Sequence, residues 1–549
     1  MLRYYRKLFQ MIHRLLQVRA VNLGWLLLMA ILTTLHIMML NAGWVAIKAV
    51  LAGLFTLGLP FEVTLIVTVL TGSASLVNQS DEILAQAWRS YRRNWFKLIG
   101  FEGLLLLVWL PFGGAGFTAT VVNFIGLSGS WADQIVMHRV FWLSVIGLAY
   151  LSILGGFTWS SPRLLKQDHA SEQQPSIKGL WARLRLFFRP MVALWLPMLI
   201  VDELGVFFTH EWVVKMGQTS GRLTSMLILT VFVALTLLML SAVLVAIIWE
   251  SLGQPTFNPD FEKGDLLHTM AWFPTGLVVL LIGMFSFQAF HFGVTNPGVV
   301  SVAHRGTVNH NGVPNTIQSL KKTVQRHPSY VEIDVQETKD KQFVVLHNDT
   351  IAFKSGESKR PIRDFTLAQL QRVKRQDGGA TAHLSSLREY LAVARANHQR
   401  VMVEIKVNPH DSADMARRFV RQYGRKIVAQ QGLVHTMSYK TLTQLKTIDQ
   451  ELIVGYILPV NLFSIRNLPA DFYSLQVIGL NQTFVQQAHS MGAPVFVWSP
   501  TRISQMQVMR VMGIDGIITD RLDRLEKMER QPPQSYYWAI VQEIVRQFI

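Results

Sequence analysis

The sequence predicts two domains of different class in one chain: an N-terminal all-α polytopic membrane domain and a C-terminal α/β domain. Half of the 549 residues are hydrophobic, and nearly all of the apolar excess lies before residue 292. From Val299 onward, short β-type runs alternate with amphipathic helical segments. A mean hydropathy of +0.27 is too apolar for an ordinary soluble protein, so the membrane assignment applies to the first part of the chain.

The predicted membrane domain spans residues 20–292 and follows a basic N-terminus, residues 1–19. Its apolar segments are each long enough to cross a bilayer, which needs ~20 helical residues. They lie at residues 20–41, 44–71, 98–125, 138–160, 189–209, 222–249 and 272–292. Pro111 and the glycines at 113, 114 and 116 interrupt the third segment, so we expect about seven crossings, with an uncertainty of one.

Basic residues predict the orientation of these crossings. The N-terminus and two loops carry most of the Lys and Arg residues of this region, and such segments stay on the cytoplasmic side. The loop residues are Arg89, Arg92, Arg93, Lys97, Arg163, Lys166, Lys178, Arg183, Arg185 and Arg189. An odd number of crossings then places the α/β domain outside the cell, and one helix more or fewer would reverse this prediction.

Several ionisable residues fall inside or at the edges of the apolar segments. They are His36, Glu62, Glu102, Asp202 and Glu203. Charges within a membrane often mark a transport path or a ligand pocket, whereas residues near the interface or paired within a bundle have no such role. The membrane domain is therefore interpreted first as an anchor.

The α/β domain alternates strands and helices from Val299 to about residue 525. About eight β/α units in about 230 residues match the size of a closed parallel barrel. A doubly wound sheet uses the same alternation, so the pattern alone leaves both folds open.

Polar residues follow or end several of the predicted strands. His304 and Arg305 follow VVSVA, Glu332 and Asp334 lie two apart in YVEIDV, and His347 ends FVVLH. Further along, VMVEIK ends in Glu404 and Lys406. Residues two apart on a strand point to the same face, and two buried carboxylates on one face need a cation between them.

These motifs, in this order, resemble the glycerophosphodiester phosphodiesterase family. The resemblance covers residues 299–525 and rests on HRG (304–306), N-T (315–316), E-x-D (332–334), VEIK (403–406), VFVW (495–498) and DGIITD (515–520). It implies a TIM-type (β/α)8 barrel that hydrolyses glycerol-linked phosphodiesters to glycerol 3-phosphate and an alcohol. Pro314 and Asn348 replace acidic residues that are usual in the family, which puts the substrate preference and the orientation of His347 in doubt.

The resemblance also implies roles for individual residues. Glu332, Asp334 and Glu404 would bind one divalent cation, Mg²⁺ or Ca²⁺, and carboxylate oxygens are ligands that both ions prefer. His304 and His347 would transfer protons, in an order that the sequence leaves open. Arg305 and Lys406 are predicted to bind phosphate, or to pair with the carboxylates, and Trp498 to contact the glycerol carbons, or to lie in the core. Asn315 is predicted as a helix N-cap, and the remaining barrel histidines considered, His310, His327, His383, His435 and His489, as structural or surface residues.

Charge and cysteine content exclude several classes of site. The formal net charge of +17 is typical of a membrane protein that contacts anionic lipid, and no nucleic-acid-binding fold is apparent, so we predict no nucleic-acid partner. The chain has no cysteine, which excludes disulfides, thiolate catalysis and cysteine-ligated zinc.

The sequence thus predicts a multi-pass cell-membrane enzyme whose barrel acts at the outer membrane–water interface. Its substrate would be a deacylated phospholipid headgroup, a lysophospholipid or a glycerol-phosphate polymer. The alternative is a degenerate barrel that binds or senses a ligand, joined to a membrane domain that transports or binds lipid. Residues 526–549 form an amphipathic tail that is expected either on the membrane surface or against the barrel. The oligomeric state is not predicted.

Overall fold

The computed structural model describes residues 18–39, 45–71, 80–109, 139–165, 218–252, 298–352, 358–377, 379–408, 411–459 and 468–531, with short stretches elsewhere. The chain divides into two compact units. The first comprises Met1–Thr118, Leu143–Phe292 and Ile540–Ile549, and the second comprises Ala119–Trp142 and Gly293–Ala539.

The first unit is helical wherever it is described at length. Its long helices are Arg19–Met39, Val45–Thr71, Ser80–Trp109, Arg139–Leu165 and Gln218–Ser251. Four of them coincide with predicted apolar segments. The helix Ser80–Trp109 begins well before residue 98, so the basic residues from Arg89 to Lys97 lie within a helix and not in a loop, because Arg and Lys are good helix formers.

Among the described helices, one segment is long and apolar enough to span a membrane. The segment Ala49–Thr71 is long and apolar enough to cross a bilayer, with a hydropathy of 2.0, and Ala20–Leu32 and Ser144–Phe157 are shorter apolar helices. Residues 110–125, and nearly all of 189–209 and 272–292, lie outside the described residues, as do Pro111, Asp202 and Glu203. The expectation of about seven crossings therefore stays a prediction.

The second unit contains a closed barrel of parallel strands, which we number β1 to β8. They are Val300–Ala303, Tyr330–Glu337, Val401–Ile405, Leu433–Thr436, Val454–Leu458, Phe472–Gln476, Val495–Trp498 and Gly516–Thr519. Each strand pairs in parallel with the next, and β1 also pairs with β8, Val300 opposite Gly516. The closed barrel is confirmed, and the doubly wound alternative is wrong.

Helices surround the strands. Their bounds are Ile317–Thr323, Leu387–Ala396, Met415–Phe419, Arg425–Ala429, Tyr439–Ile448, Gln482–Ser490, Ile503–Val511 and Leu522–Glu529. Several begin at a side chain that accepts a hydrogen bond from the first turn: Thr316, Ser386, Ser438 and Asn481. On β2, Val331, Ile333 and Val335 are fully buried in the main core cluster, so Glu332 and Asp334 point to the barrel interior.

The barrel interior has an apolar floor made of one buried side chain from each of six strands. They are Val302, Met402, Leu433, Phe472, Phe496 and Ile518. A Cβ atom on Gly455 or Gly516 would collide with the rings of Phe472 or Phe496, so both positions need glycine. On β3, β4 and β6 the next inward residues toward the carboxyl end are Glu404, His435 and Ser474, which places polar groups directly above this floor.

The predicted run FVVLH does not form a barrel strand. Phe343–Val345 pairs antiparallel with the end of β2, Val335 opposite Val345. β2 is eight residues long, and its last three residues extend the hairpin. A three-residue apolar run carries no information on strand direction, which explains the error. Most of the predicted tail after residue 531 lies outside the described residues.

Candidate active site

The turn after β1 brings backbone and side chains toward the barrel mouth. His304–Gly306 forms one short helical turn in which Arg305 and Gly306 both have a left-handed conformation, with φ of 53° and 67°. The Arg305 N–H donates to Glu332 Oε2 at 2.8 Å, and Arg305 C=O accepts from the Asn315 N–H at 2.7 Å. Gly306 is required here, because the hydroxyl of Tyr390 occupies the space of a Cβ atom.

His304 contacts a carboxylate from the last strand. Its Nδ1 lies 3.0 Å from Asp520 Oδ1, and Asp520 directly follows β8, the neighbour of β1. Burial opposes ionisation of Asp520, but the hydrogen bond and charge of His304 outweigh it and lower the pKa of this carboxyl. Asp520 is not among the predicted site residues, although its position after a predicted strand is a signal for one.

The three predicted metal ligands lie on adjacent strands. Glu332 and Asp334 are 2% and 1% exposed on β2, and Asp334 is opposite Glu404 of β3 in the strand register. Burial, and then repulsion from Asp334, raises the pKa of Glu332 well above its usual value, and the same causes raise the pKa of Glu404 to about 8. Burial and mutual repulsion therefore both disfavour ionisation of all three carboxyl groups at once.

Two cationic side chains border this cluster. Arg305 Nε lies 3.6 Å from Asp334 Oδ2, and Lys406 Nζ lies 4.0 Å from Glu404 Oε1. The carboxylate-pairing alternative is therefore observed for both residues, and phosphate binding stays a prediction.

Asn315 orients Asp334 and is not a helix cap. Its Nδ2 donates to Asp334 Oδ2 at 2.8 Å, and its Oδ1 accepts from the Asp334 N–H at 3.0 Å. The cap of the following helix is Thr316, so the N-cap prediction for Asn315 is wrong by one residue. A left-handed φ of 63° turns the Asn315 side chain inward, and asparagine tolerates this conformation better than most residues.

His347 reaches the site by way of the antiparallel hairpin. The preceding residue, Leu346, donates its N–H to Asp334 C=O at 2.9 Å. His347 interacts electrostatically with Asp334, Lys406, Arg305 and His304, so both predicted proton-transfer histidines lie in one site. Burial lowers the pKa of His347 to about 4, against the opposing charge of Asp334, and the nearby cations add to the lowering.

His435 also belongs to this site, although sequence analysis assigned it a structural or surface role. It is 2% exposed and lies opposite Glu404 in the register of β3 and β4. One of its ring nitrogens and carboxylate oxygens of Glu332 and Glu404 all lie within 4.8 Å of one another. Burial lowers the pKa of His435 to about 3.

The other predicted residues lie as follows. Trp498 ends β7, is half-buried against the apolar floor, and donates from Nε1 to Ser474 C=O at 3.4 Å. His489 pairs with Asp515, which precedes β8 and so lies at the opposite end of the barrel from Asp520. His383 bonds to the backbone of Gln371.

Comparison with known proteins adds an independent finding. Residues 304–524 match the Glycerophosphoryl diester phosphodiesterase family. The chain contains a glycerophosphodiester phosphodiesterase domain. Its enzyme class is therefore that of a phosphoric diester hydrolase, and the predicted motifs lie inside the matched residues.

Individual relatives of the phosphodiesterase domain are distant. YhdW of Bacillus subtilis (strain 168) is 24% identical over 210 residues, which cover 36% of this chain and 84% of that protein. The glycerophosphodiester phosphodiesterase of Caldanaerobacter subterraneus subsp. tengcongensis is 24% identical over 216 residues, covering 38% and 88%. The solved Oleispira antarctica phosphodiesterase in complex with sn-glycerol-3-phosphate is 19% identical, with a TM-score of 0.37, and covers 41% of this chain and 95% of that one.

The residues of the phosphodiesterase domain fit a divalent cation. Buried carboxylates that raise one another's pKa values gain stability from a positive charge between them. Nε2 of His435 is buried without a hydrogen-bond partner among the described residues, as expected of an atom that faces a ligand. Oxygen-rich sites of this kind suit hard divalent ions.

Proposed function

We propose that the barrel hydrolyses glycerophosphodiesters to glycerol 3-phosphate and an alcohol. The observation that carries this proposal is the meeting of His304, His347 and the carboxylates of Glu332, Asp334 and Glu404 at one end of the barrel. Strand ends at this face are where barrel enzymes place catalytic groups.

Glu332, Asp334 and Glu404 would hold the cation. If only carboxylates bind it, the ion would be Mg²⁺ or Ca²⁺. Such an ion supplies positive charge that stabilises the negative phosphorane-like transition state. Arg305 and Lys406 would add two further cations at the phosphate, and Trp498 an apolar surface for the glycerol carbons.

The two histidines differ in their surroundings, which supports different roles for them. The carboxylate of Asp520 lies 3.0 Å from His304 Nδ1, so we assign His304 as the group that would donate a proton to the leaving alcohol oxygen as the P–O bond breaks. His347 is neutral at pH 7 because burial lowers its pKa, so it would accept the proton of the attacking hydroxyl or water.

We further propose that the first unit is a multi-pass membrane domain of about seven helices, with the barrel outside the cell. Apolar side chains on the described helices support a lipid-facing surface, since a soluble helix rarely exposes so many. Leu27, Val50, Leu57, Leu148, Leu151, Leu223 and Leu227 are each more than half exposed. Substrates at such an interface include lysophospholipids and glycerol-phosphate polymers as well as free headgroup diesters.

The test is release of glycerol 3-phosphate from glycerophosphocholine and glycerophosphoglycerol by the full chain in detergent, with added cation or with chelator. Wild type should require the cation, and His304→Ala should lose at least ~100-fold in rate. His489→Ala is the matched control, because that histidine pairs with Asp515 at the other end of the barrel. Equal activity of wild type and His304→Ala would refute the proposal.

A lipid-transporting membrane domain remains a second candidate, and one observation favours it. The carboxyl groups of Glu62 and Glu102 are buried inside the helical unit, at 1% and 4% exposure. This alternative predicts that Glu102→Gln impairs function in cells while Glu332→Ala does not, and the enzyme proposal predicts the reverse.

A further inference from the structure

His435 is held in one orientation with one nitrogen free. Its Nδ1 lies 3.1 Å from Ser474 Oγ, and its ring packs 6.1 Å from that of Phe472 in the barrel floor. Its Nε2 is buried and makes no hydrogen bond to any described residue. Leaving a buried polar atom without a partner destabilises the folded protein, so a ligand that binds this atom is favoured.

The free nitrogen belongs to a residue that lies beside the carboxylates and not in an isolated pocket. Ligand atoms of His435, Glu332 and Glu404 are mutually within 4.8 Å. Asp334 Oδ2 already accepts from Asn315 and also faces Arg305, so Asp334 has only Oδ1 left for an ion. The imidazole of His435 is therefore placed to add a nitrogen ligand to the carboxylate oxygens.

We propose that His435 supplies a nitrogen ligand to the cation of this site, so that the site prefers a divalent transition ion such as Mn²⁺ or Co²⁺ over Ca²⁺. This inference rests on the proposed function and deepens it. Carboxylate oxygens alone suit Mg²⁺ and Ca²⁺, whereas an imidazole nitrogen favours first-row transition ions, whose affinities rise along the series from Mn²⁺.

Ser474 has the position of an orienting partner in such a site. A ligating histidine usually donates its second N–H to an oxygen, which fixes the tautomer and the direction of the ring. Donation from Nδ1 to Ser474 Oγ leaves the lone pair on Nε2. The competing explanation is a neutral histidine that only packs on Phe472 and binds nothing.

The test uses the full chain, stripped of metal, with Mn²⁺ as the probe. Pulsed electron paramagnetic resonance detects a ¹⁴N nucleus bound to Mn²⁺ without any measurement of activity. Wild type should show this nitrogen coupling, His435→Gln should lose it, and His347→Gln should keep it. Mn²⁺ bound to wild type without nitrogen coupling overturns the inference, whether or not the variants fold.

Affinity gives a second measurement. His435→Gln should weaken Mn²⁺ binding by about 10-fold or more and Ca²⁺ binding by less than about 3-fold. Equal losses for the two ions, or no loss, would count against a nitrogen ligand. Glycerol 3-phosphate release by wild type is measured in parallel: activity without nitrogen coupling refutes only the His435 ligand, and coupling without activity refutes only the phosphodiesterase proposal.

Discussion

Asn315 and Asp334 form two reciprocal hydrogen bonds, side chain to side chain at 2.8 Å and side chain to backbone at 3.0 Å. The pair joins the loop after β1 to the middle of β2. It directs Oδ2 of Asp334 toward the Asn315 amide. The other oxygen, Oδ1, therefore has a defined orientation. Asn315 is fully buried, and water cannot replace these bonds cheaply.

Replacing Asn315 by alanine should therefore impair both stability and the site. We expect a loss of about 2–4 kcal/mol, from the bonds to a buried carboxylate and from an alanine held at positive φ. The measurement is thermal unfolding of the full chain, with limited proteolysis of barrel peptides as the readout. Asn309→Ala is the matched control, since Asn309 has a φ of 53° but bonds to Arg521 away from Asp334. Similar losses in the two variants would argue against a special role for Asn315.

Asp520 is predicted to act by positioning His304. Asp520→Asn should lower kcat by about 10- to 100-fold with little change in KM, because the substrate contacts remain while the His304 ring loses the carboxylate that orients it. The pH–rate profile of kcat should shift as well, which a purely structural defect would not produce. Asp515→Asn is the control: it breaks the other Asp–His pair, with His489, and should leave the pH profile unchanged.

The buried carboxyls predict an unusual pH dependence of stability without metal. The pKa of Glu404 is raised to about 8 in the folded barrel, so the folded state holds a proton that the unfolded state releases above about pH 4.5. His347 and His435 have lowered pKa values, and their opposing effect is confined to pH values below about 6.5.

In chelator, stability should therefore fall as the pH rises from about 6.5 to 8, by about 2 kcal/mol from Glu404 over that window. Added divalent cation favours the ionised carboxyl and should reduce this slope. Glu404→Gln should remove the part of the slope that Glu404 contributes, and the raised pKa of Glu332 should leave a residual slope of the same sign. Thermal proteolysis of barrel peptides at pH 6.5 and 8 gives the measurement, and a barrel that is more stable at pH 8 in chelator would contradict the argument.

Gly455 should be intolerant of even one methyl group. Alanine there would place its Cβ in the ring of Phe472, and overpacking of this kind costs about 1–3 kcal/mol. Phe472→Leu in the same chain should recover part of the loss, since it opens the space. Gly298→Ala is the control, because no atom lies within 4 Å of the added carbon. No difference between these two alanine variants would show that the floor can repack.

The regular alternation of strand and helix segments along the chain makes part of the barrel fold predictable. The strand Gly516–Thr519 is a short apolar run, and the helix Tyr439–Ile448 buries Leu442 and Leu445 at helical spacing, so both elements follow from the local sequence pattern. The antiparallel strand Phe343–Val345 was not predictable, since strand direction depends on the partner and not on the run itself. Strand register likewise decides that His435 faces Glu404, and no pattern within VHTM reveals the neighbouring strand.

The predicted carboxylates and histidines were found because each lies at the end of an apolar run and within a recognisable motif. Asn315 and Asp520 were present in the same motifs, but their roles are contacts across 19 and 216 residues of sequence. Such contacts follow from closure of the barrel. Local patterns identified the candidate groups, and tertiary structure alone showed which of them touch.

The contact between His304 and Asp520 also has a consequence for synthesis of the protein. It joins the residue after β1 to the residue after β8. A growing chain therefore contains His304 long before it contains Asp520. A ribosome holding a chain that ends before Gly516 carries Glu332, Asp334 and Glu404 but an open barrel. Hydrolytic competence should therefore appear only after Asp520 has been synthesised and β8 has closed the barrel.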